Sequence, residues 1–229
     1  MFDKENIKAV LWDLDDTLYS RRDSARQVYR GMFKECLYPN ADEKFIDEAI
    51  AYMMTKLMPN SMIHEKSFEA LLEKYPSTIP YDHAKCAEYY FKHMPKFMTP
   101  FPEQVAVIEK LRALGIKTAI VTNISASRVD SQKEKIKALG IAELFDEILI
   151  SGEIGIHKPD RAIFDMAASR LGVKNEECLF VGDDPHSDVG GALGAEMKVL
   201  WFNSWNYDDL YRDDERVFTA KSILEYFKF

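Results

Sequence analysis

The chain has 229 residues, 47% of them hydrophobic and 30% charged, with a formal net charge of -8. This length accommodates one core domain and a smaller appended one but not two full-sized domains, and the composition excludes disordered and fibrous classes. The acidic balance argues against nucleic acid or an anionic membrane as partner, yet leaves room for a small anion held by a local cation. Cys36, Cys86 and Cys178 are odd in number and far apart, with no CxxC pair. They read as reduced thiols, not as a disulfide framework or a zinc site. No apolar run approaches the roughly 20 residues that a membrane span requires. The N-terminus, MFDKENIKAV, lacks an apolar signal stretch, so a cytoplasmic location is expected.

Five short apolar runs mark strands: 8–12 (KAVLW), 117–121 (KTAIV), 147–150 (EILI), 178–181 (CLFV) and 198–202 (KVLWF). They show little alternation, as strands buried on both faces do in a parallel sheet. Helical patterns lie between them at 102–114, 128–139, 160–171 and 188–193, the first opening on Pro102 and each followed by a glycine. Pro at a helix start and Gly just past its end are the expected punctuation. Strand alternating with helix predicts an α/β fold, a doubly wound, Rossmann-like parallel sheet.

Residues 22–98 break this alternation. The stretch carries four helix-like segments, at about 23–37, 41–57, 62–74 and 82–94, punctuated by Pro39, Pro59, Pro76 and Pro80. It reads as a helical insertion after the first strand, leaving 1–21 and 99–229 as the α/β core. Its methionines (Met53, Met54, Met58, Met62 and Met94) read as helix core. The tail beyond residue 203 is aromatic and acidic and closes on a short helical pattern, SILEYF. Trp201 and Trp205 are expected to pack the sheet edge and tail, and Asp208 to Asp214 to form a solvated acidic face.

The polar clusters all fall at strand ends, where open α/β sheets bind ligands. The first is Asp13-Leu14-Asp15-Asp16-Thr17-Leu18. Three carboxylates within four residues repel one another unless a cation binds, and a hard divalent ion with oxygen ligands fits them. In an extended segment Asp13 and Asp15 face the same way. A carboxylate can attack phosphorus to give an acyl phosphate, and a second acid can protonate the leaving oxygen and then activate water. The cluster Gly182-Asp183-Asp184-Pro185-His186-Ser187-Asp188 adds carboxylates at another strand end. Thr122 and Asn123 can donate to phosphoryl oxygens, and Lys158 in IHKPD can neutralise phosphate and nucleophile together.

The set DLDDTL, TN, KPD and GDDPHSD, in that order, resembles the four motifs of haloacid dehalogenase-like phosphohydrolases. The resemblance implies Asp13 as nucleophile, Asp15 as general acid/base, Thr122 as phosphate ligand and Lys158 as charge stabiliser. It also implies an Mg²⁺ ion held by Asp13, the Asp15 main-chain carbonyl and Asp183, with Asp188 contributing directly or through water. The insertion resembles that family's α-helical cap, which closes over the site and selects the substrate. Ile124 stands where many relatives carry glycine.

The expected function is hydrolysis of a small phosphorylated metabolite: a nucleotide, flavin mononucleotide or sugar phosphate. The expected assembly is a monomer or homodimer. A sugar phosphomutase and a catalytically silent metabolite binder are the competing readings. A dehalogenase is disfavoured by Asp15, since that chemistry needs only the nucleophile. Asp16 and Asp184 read as structural or as supports behind the site's contact residues, His157 and His186 as bystanders, and Arg21-Arg22 as either a solvated pair or an anion contact.

Overall fold

The computed structural model describes residues 5–57, 65–203, 207–208, 210–211 and 213–228. In chain order the elements are β1 (Ala9–Trp12), α1 (Arg21–Cys36), α2 (Glu43–Tyr52), α3 (Glu65–Lys74) and α4 (His83–His93). After them come α5 (Pro102–Ala113), β2 (Lys117–Thr122), α6 (Val129–Leu139), β3 (Glu147–Ile150), a one-turn α7 (Ser151–Ile154) and α8 (Arg161–Leu171). The chain closes with β4 (Cys178–Gly182), a short α9 (Gly191–Gly194), β5 (Lys198–Phe202) and β6 (Val217–Ala220). The chain divides into two compact units, Met1–Ser20 with Thr99–Phe229 and, separately, Arg21–Met98.

The first unit is the doubly wound α/β fold. Its strands pair in parallel throughout, in the order β3-β2-β1-β4-β5-β6. Chain order reverses at β1, which has β2 on one side and β4 on the other, so the crevice at the carboxyl end of β1 is the switch point where such sheets take ligands. The strands form because both faces are covered. β1 and β4 are buried at every position, and Ala9 and Leu11 join Phe164, Ala167 and Phe180 in one core cluster. On the opposite pleat, Trp12 stacks on Phe227 with ring centroids 6.2 Å apart.

Helix ends follow the punctuation of the sequence. Gly140 and Gly172 close α6 and α8 in the left-handed conformation, at φ 66° and 72°, which costs glycine little. The Asp160 carboxylate caps α8 by accepting from the Ala162 amide at 2.9 Å. In place of a helix over 188–193, the chain makes a wide turn at Pro185–Gly190 that runs into α9.

The sixth strand departs from the five-strand expectation. β6 lies within the acidic tail and pairs along β5 from Val199↔Val217 to Phe202↔Ala220. Trp201 therefore sits one strand in from the edge and is fully buried, which corrects its expected place at the sheet edge, while it packs against Tyr211 of the tail as expected, with centroids 5.9 Å apart. Trp205 lies outside the described residues. The SILEYF pattern makes a single turn at Ile223–Glu225.

The second unit is helical as expected. Its core is aromatic: Tyr29 lies against Phe33, Phe68 and Tyr90 with centroids 5.6, 6.5 and 5.9 Å apart. The single helix expected over 41–57 ends at Tyr52 and continues as a wider turn over Met53–Leu57. Met53, Met54 and Met94 are buried, whereas Met58, Met62 and the start of the third expected helix lie outside the described residues. All three cysteines are free and buried. Among the described residues, no helix is long and apolar enough to cross a membrane.

Candidate active site

The site stands at the carboxyl ends of β1, β2 and β4 and the segment after β3, entirely within the α/β unit. Asp13 directly follows β1 and is anchored by its main chain, which donates to the Val181 carbonyl at 2.8 Å. The next turn is tight. Asp16 takes a left-handed φ of 61°, a conformation that aspartate tolerates better than most side chains.

Lys158 is the centre of charge. Its ammonium group donates to Asp13 Oδ1 at 2.6 Å and to Asp188 Oδ1 at 2.7 Å, with only 4% of the residue exposed. Asn123 fixes the lysine's main chain: its Nδ2 donates to the Lys158 carbonyl at 2.8 Å, and its Oδ1 accepts from the Lys158 amide at 2.9 Å. Both ends of the Asn123 side chain are thus engaged by Lys158. The expected donation from Asn123 to a phosphoryl oxygen is a separate contact, for which Nδ2 has a second hydrogen.

Asp188 is tied down on its other oxygen, Oδ2, which accepts from the amides of Asp183 and Asp184 at 3.1 Å each. That approach needs Gly182, because a Cβ built there falls well inside contact distance of the Asp188 carboxylate. Gly182→Ala is therefore expected to destabilise the fold by about 1–3 kcal/mol through overpacking. Thermal melts beside the wild type check this, and an unchanged midpoint would refute the close fit. The Asp184 carboxylate caps the turn that follows it, its Oδ1 accepting from the amides of His186 and Ser187. His157 and His186 are exposed.

Asp13, Asp183 and Asp188 each present a carboxylate oxygen, and the three lie within 4.8 Å of one another. The Asp15 side chain is not part of this group. Its Oδ1 accepts from Lys135 Nζ at 2.8 Å and from the Tyr19 hydroxyl, and its Oδ2 accepts from Gln132 Nε2 at 3.2 Å. Of the expected ligand set, the structure gathers the three carboxylates around one point; Asp15, expected to contribute its main-chain carbonyl, turns its side chain toward α6. Thr122, at the end of β2, is buried, and its Oγ1 accepts from Gln132 Nε2 at 2.7 Å.

Sequence reading passed over Tyr19, Gln132 and Lys135. Gln132 and Lys135 were polar letters in an amphipathic helix. A signal was nonetheless present, because in VDSQKEKIKAL they share the face of Ile136 and Leu139, the side that α6 buries.

The electrostatics follow from burial. Three buried carboxylates crowd together and the Lys158 ammonium bridges two of them, so the cluster carries an excess of negative charge away from water. Burial, with Asp188 and Asp15 adding to it, pushes the Asp13 carboxyl up to about 7 against the downward pull of Lys158. Burial alone would lower the Lys158 ammonium, but the two carboxylates that it bridges outweigh this, and its pKa is raised. Lys158 stays charged. Oxygen donors of matching charge and spacing suit a hard divalent cation, and a bound cation would relieve the excess charge on Asp13.

A family model described as haloacid dehalogenase-like hydrolase matches residues 10–202. Among curated proteins, the glyceraldehyde 3-phosphate phosphatase of Methanopyrus kandleri is 33% identical, over 92% of this chain and 91% of its own. The pyrimidine 5'-nucleotidase YjjG of Escherichia coli is 27% identical over 85% of each chain. Among solved structures, the putative hydrolase YfnB of Bacillus subtilis, determined bound to magnesium, superposes with a TM-score of 0.76 at 19% identity and covers 96% of both chains.

Proposed function

This chain belongs to the haloacid dehalogenase-like hydrolases and is a phosphatase of that family; from that premise we propose that it is magnesium-dependent and hydrolyses a small phosphorylated metabolite through an aspartyl phosphate on Asp13. The observation that carries the proposal is the Lys158 ammonium group bridging Asp13 and Asp188 beside Asp183.

In this reading an Asp13 oxygen attacks phosphorus as the ester P–O bond breaks, giving an acyl phosphate and an alkoxide. Asp15 gives its proton to that leaving oxygen. It then takes a proton from the water that attacks the acyl phosphate, which releases inorganic phosphate and restores Asp13. Thr122 accepts from Gln132, so its own hydroxyl hydrogen is available to a phosphoryl oxygen. Lys158 holds Asp13 in line and offsets the charge of the transferring group. Asn123 braces Lys158. Asp13, Asp183 and Asp188, with the Asp15 main-chain carbonyl, would hold Mg²⁺, which when bound supplies positive charge to the phosphoryl oxygens.

The helical unit Arg21–Met98 is proposed as the cap that selects the substrate. The relatives are named for a three-carbon sugar phosphate and for pyrimidine nucleotides, which supports the metabolite class without singling out one member. A cytoplasmic address is supported by the three free thiols.

The test is hydrolysis of 4-nitrophenyl phosphate by the purified protein, with magnesium or with a chelator. The expected result is turnover that requires magnesium. Equal turnover in chelator would overturn the metal requirement, and no turnover of this ester or of a metabolite phosphate panel would overturn the hydrolase reading.

The raised pKa of Asp13 gives a further expectation. In chelator, the unfolded carboxyl ionises near its ordinary value while the folded one holds its proton up to about 7. Folding stability from this group therefore falls as pH rises across that window and is flat above it. A cation must displace the proton below about 7 and need not above. The magnesium-induced rise in melting temperature is therefore expected to grow from about pH 6 to about pH 8. A rise independent of pH would contradict the assignment.

A further inference from the structure

We propose that Lys135 is a positioning residue for the acid/base Asp15, held on the buried face of α6 for that purpose; the inference rests on the hydrolase reading above. Lysines are rarely buried without a partner, yet Lys135 is only 5% exposed, and its Nζ lies 2.8 Å from Asp15 Oδ1. Its neighbour Lys133 behaves differently, pairing with Glu153 at the surface with about half of each side chain exposed.

Three donors converge on the Asp15 carboxylate from two places in the chain. Tyr19 comes from the segment just beyond the DLDDTL turn. Gln132 and Lys135 stand three residues apart, which puts them on one face of the helix. Gln132 also reaches Thr122, so the acid/base and the phosphate ligand rest against the same helical face. A carboxyl group that must deliver its proton to one oxygen of the substrate gains from being fixed in rotation, because misplacement by about 1 Å can cost about 10²-fold. Lys135 touches neither the nucleophile nor the three-carboxylate group in the contacts described above. Its effect falls on the step in which the leaving oxygen is protonated.

That assignment has a signature which a merely structural lysine lacks. The ratio kcat/KM reports phosphoryl transfer to Asp13 and departure of the leaving group. Protonation matters more for phenolate, a poor leaving group, than for 4-nitrophenolate, a good one. The experiment compares kcat/KM for phenyl phosphate and 4-nitrophenyl phosphate in the wild type, Lys135→Met, Lys135→Arg and Tyr19→Phe, all with magnesium.

The expected result is that Lys135→Met loses about 30-fold on phenyl phosphate and about threefold on the nitrophenyl ester. Lys135→Arg recovers part of the phenyl phosphate rate, and Tyr19→Phe, which removes one hydroxyl only, shows the same selective loss at smaller size. An equal loss on both esters, or none on either, overturns the role of Lys135. If Lys135→Met does not fold, Tyr19→Phe decides on the same criterion. Failure of the hydrolase reading would show separately, as a wild type inactive on both esters.

Discussion

Asp13→Asn lowers kcat by at least about 10⁴-fold on any phosphomonoester that the wild type hydrolyses. The amide keeps the size of the side chain but cannot displace an alkoxide from phosphorus, and no neighbouring carboxylate has the same placement. Asp15 is held by Tyr19, Gln132 and Lys135, and Asp188 by Lys158 and two main-chain amides. The fold is expected to survive, because the main chain of Asp13 keeps its bond to Val181. The variant also removes a carboxylate that burial disfavours. In chelator its melting temperature is expected to equal or exceed that of the wild type. Loss of turnover without loss of stability is the combined signature, measured by steady-state kinetics and thermal melts on one preparation. Activity within about tenfold of the wild type would remove Asp13 from the nucleophile's position.

Lys158→Met acts on stability as well as rate. The ammonium group it removes is buried and is shared by Asp13 and Asp188. Breaking a buried ion pair from one side leaves uncompensated charge and costs about 3–5 kcal/mol. That loss is expected in chelator, and magnesium should recover more of the melting temperature than it adds to the wild type, because the cation would then be the main counter-charge. Turnover is expected to fall by about 10²–10³-fold even with magnesium, through the lost stabilisation of the transferring group. Lys158→Arg should not restore the wild type, since a planar guanidinium is a poor substitute for a compact ammonium in so enclosed a place. Unchanged stability in chelator would mean that Asp13 and Asp188 do not depend on Lys158.

Much of this architecture was legible because the strands are buried on both faces and therefore read as bare apolar runs. Three of the runs end on the polar clusters DLDDTL, TN and GDDPHSD, and the strand-end rule assigns Asp13, Thr122 and Asp183 to one site. What stayed hidden depends on side-chain direction and on context. Asn123 sits beside Thr122 in sequence, yet both ends of its amide engage the Lys158 main chain 35 residues away, a pairing that no local pattern encodes. Nothing in the letters QKEKIK separates Lys135 from Lys133; the burial of its helical face does. β6 was missed because VFTA is four residues long and its first three positions are only partly buried or exposed, so it lacks the signature that revealed the other strands. The tail's acidic letters masked it further. The need for Gly182 could not be read from the motif either, since it arises from how closely Asp188 folds back onto the end of β4.

The central claim is that the phosphoryl group passes through Asp13. Quenching the enzyme with borohydride during magnesium-supported turnover reduces an aspartyl phosphate to homoserine, which peptide mass spectrometry can locate. The account predicts homoserine at position 13, only when substrate is present, and none in Asp13→Asn. Homoserine at Asp15, Asp183 or Asp188 in place of Asp13, or sustained turnover with no reduced aspartate anywhere, would contradict it.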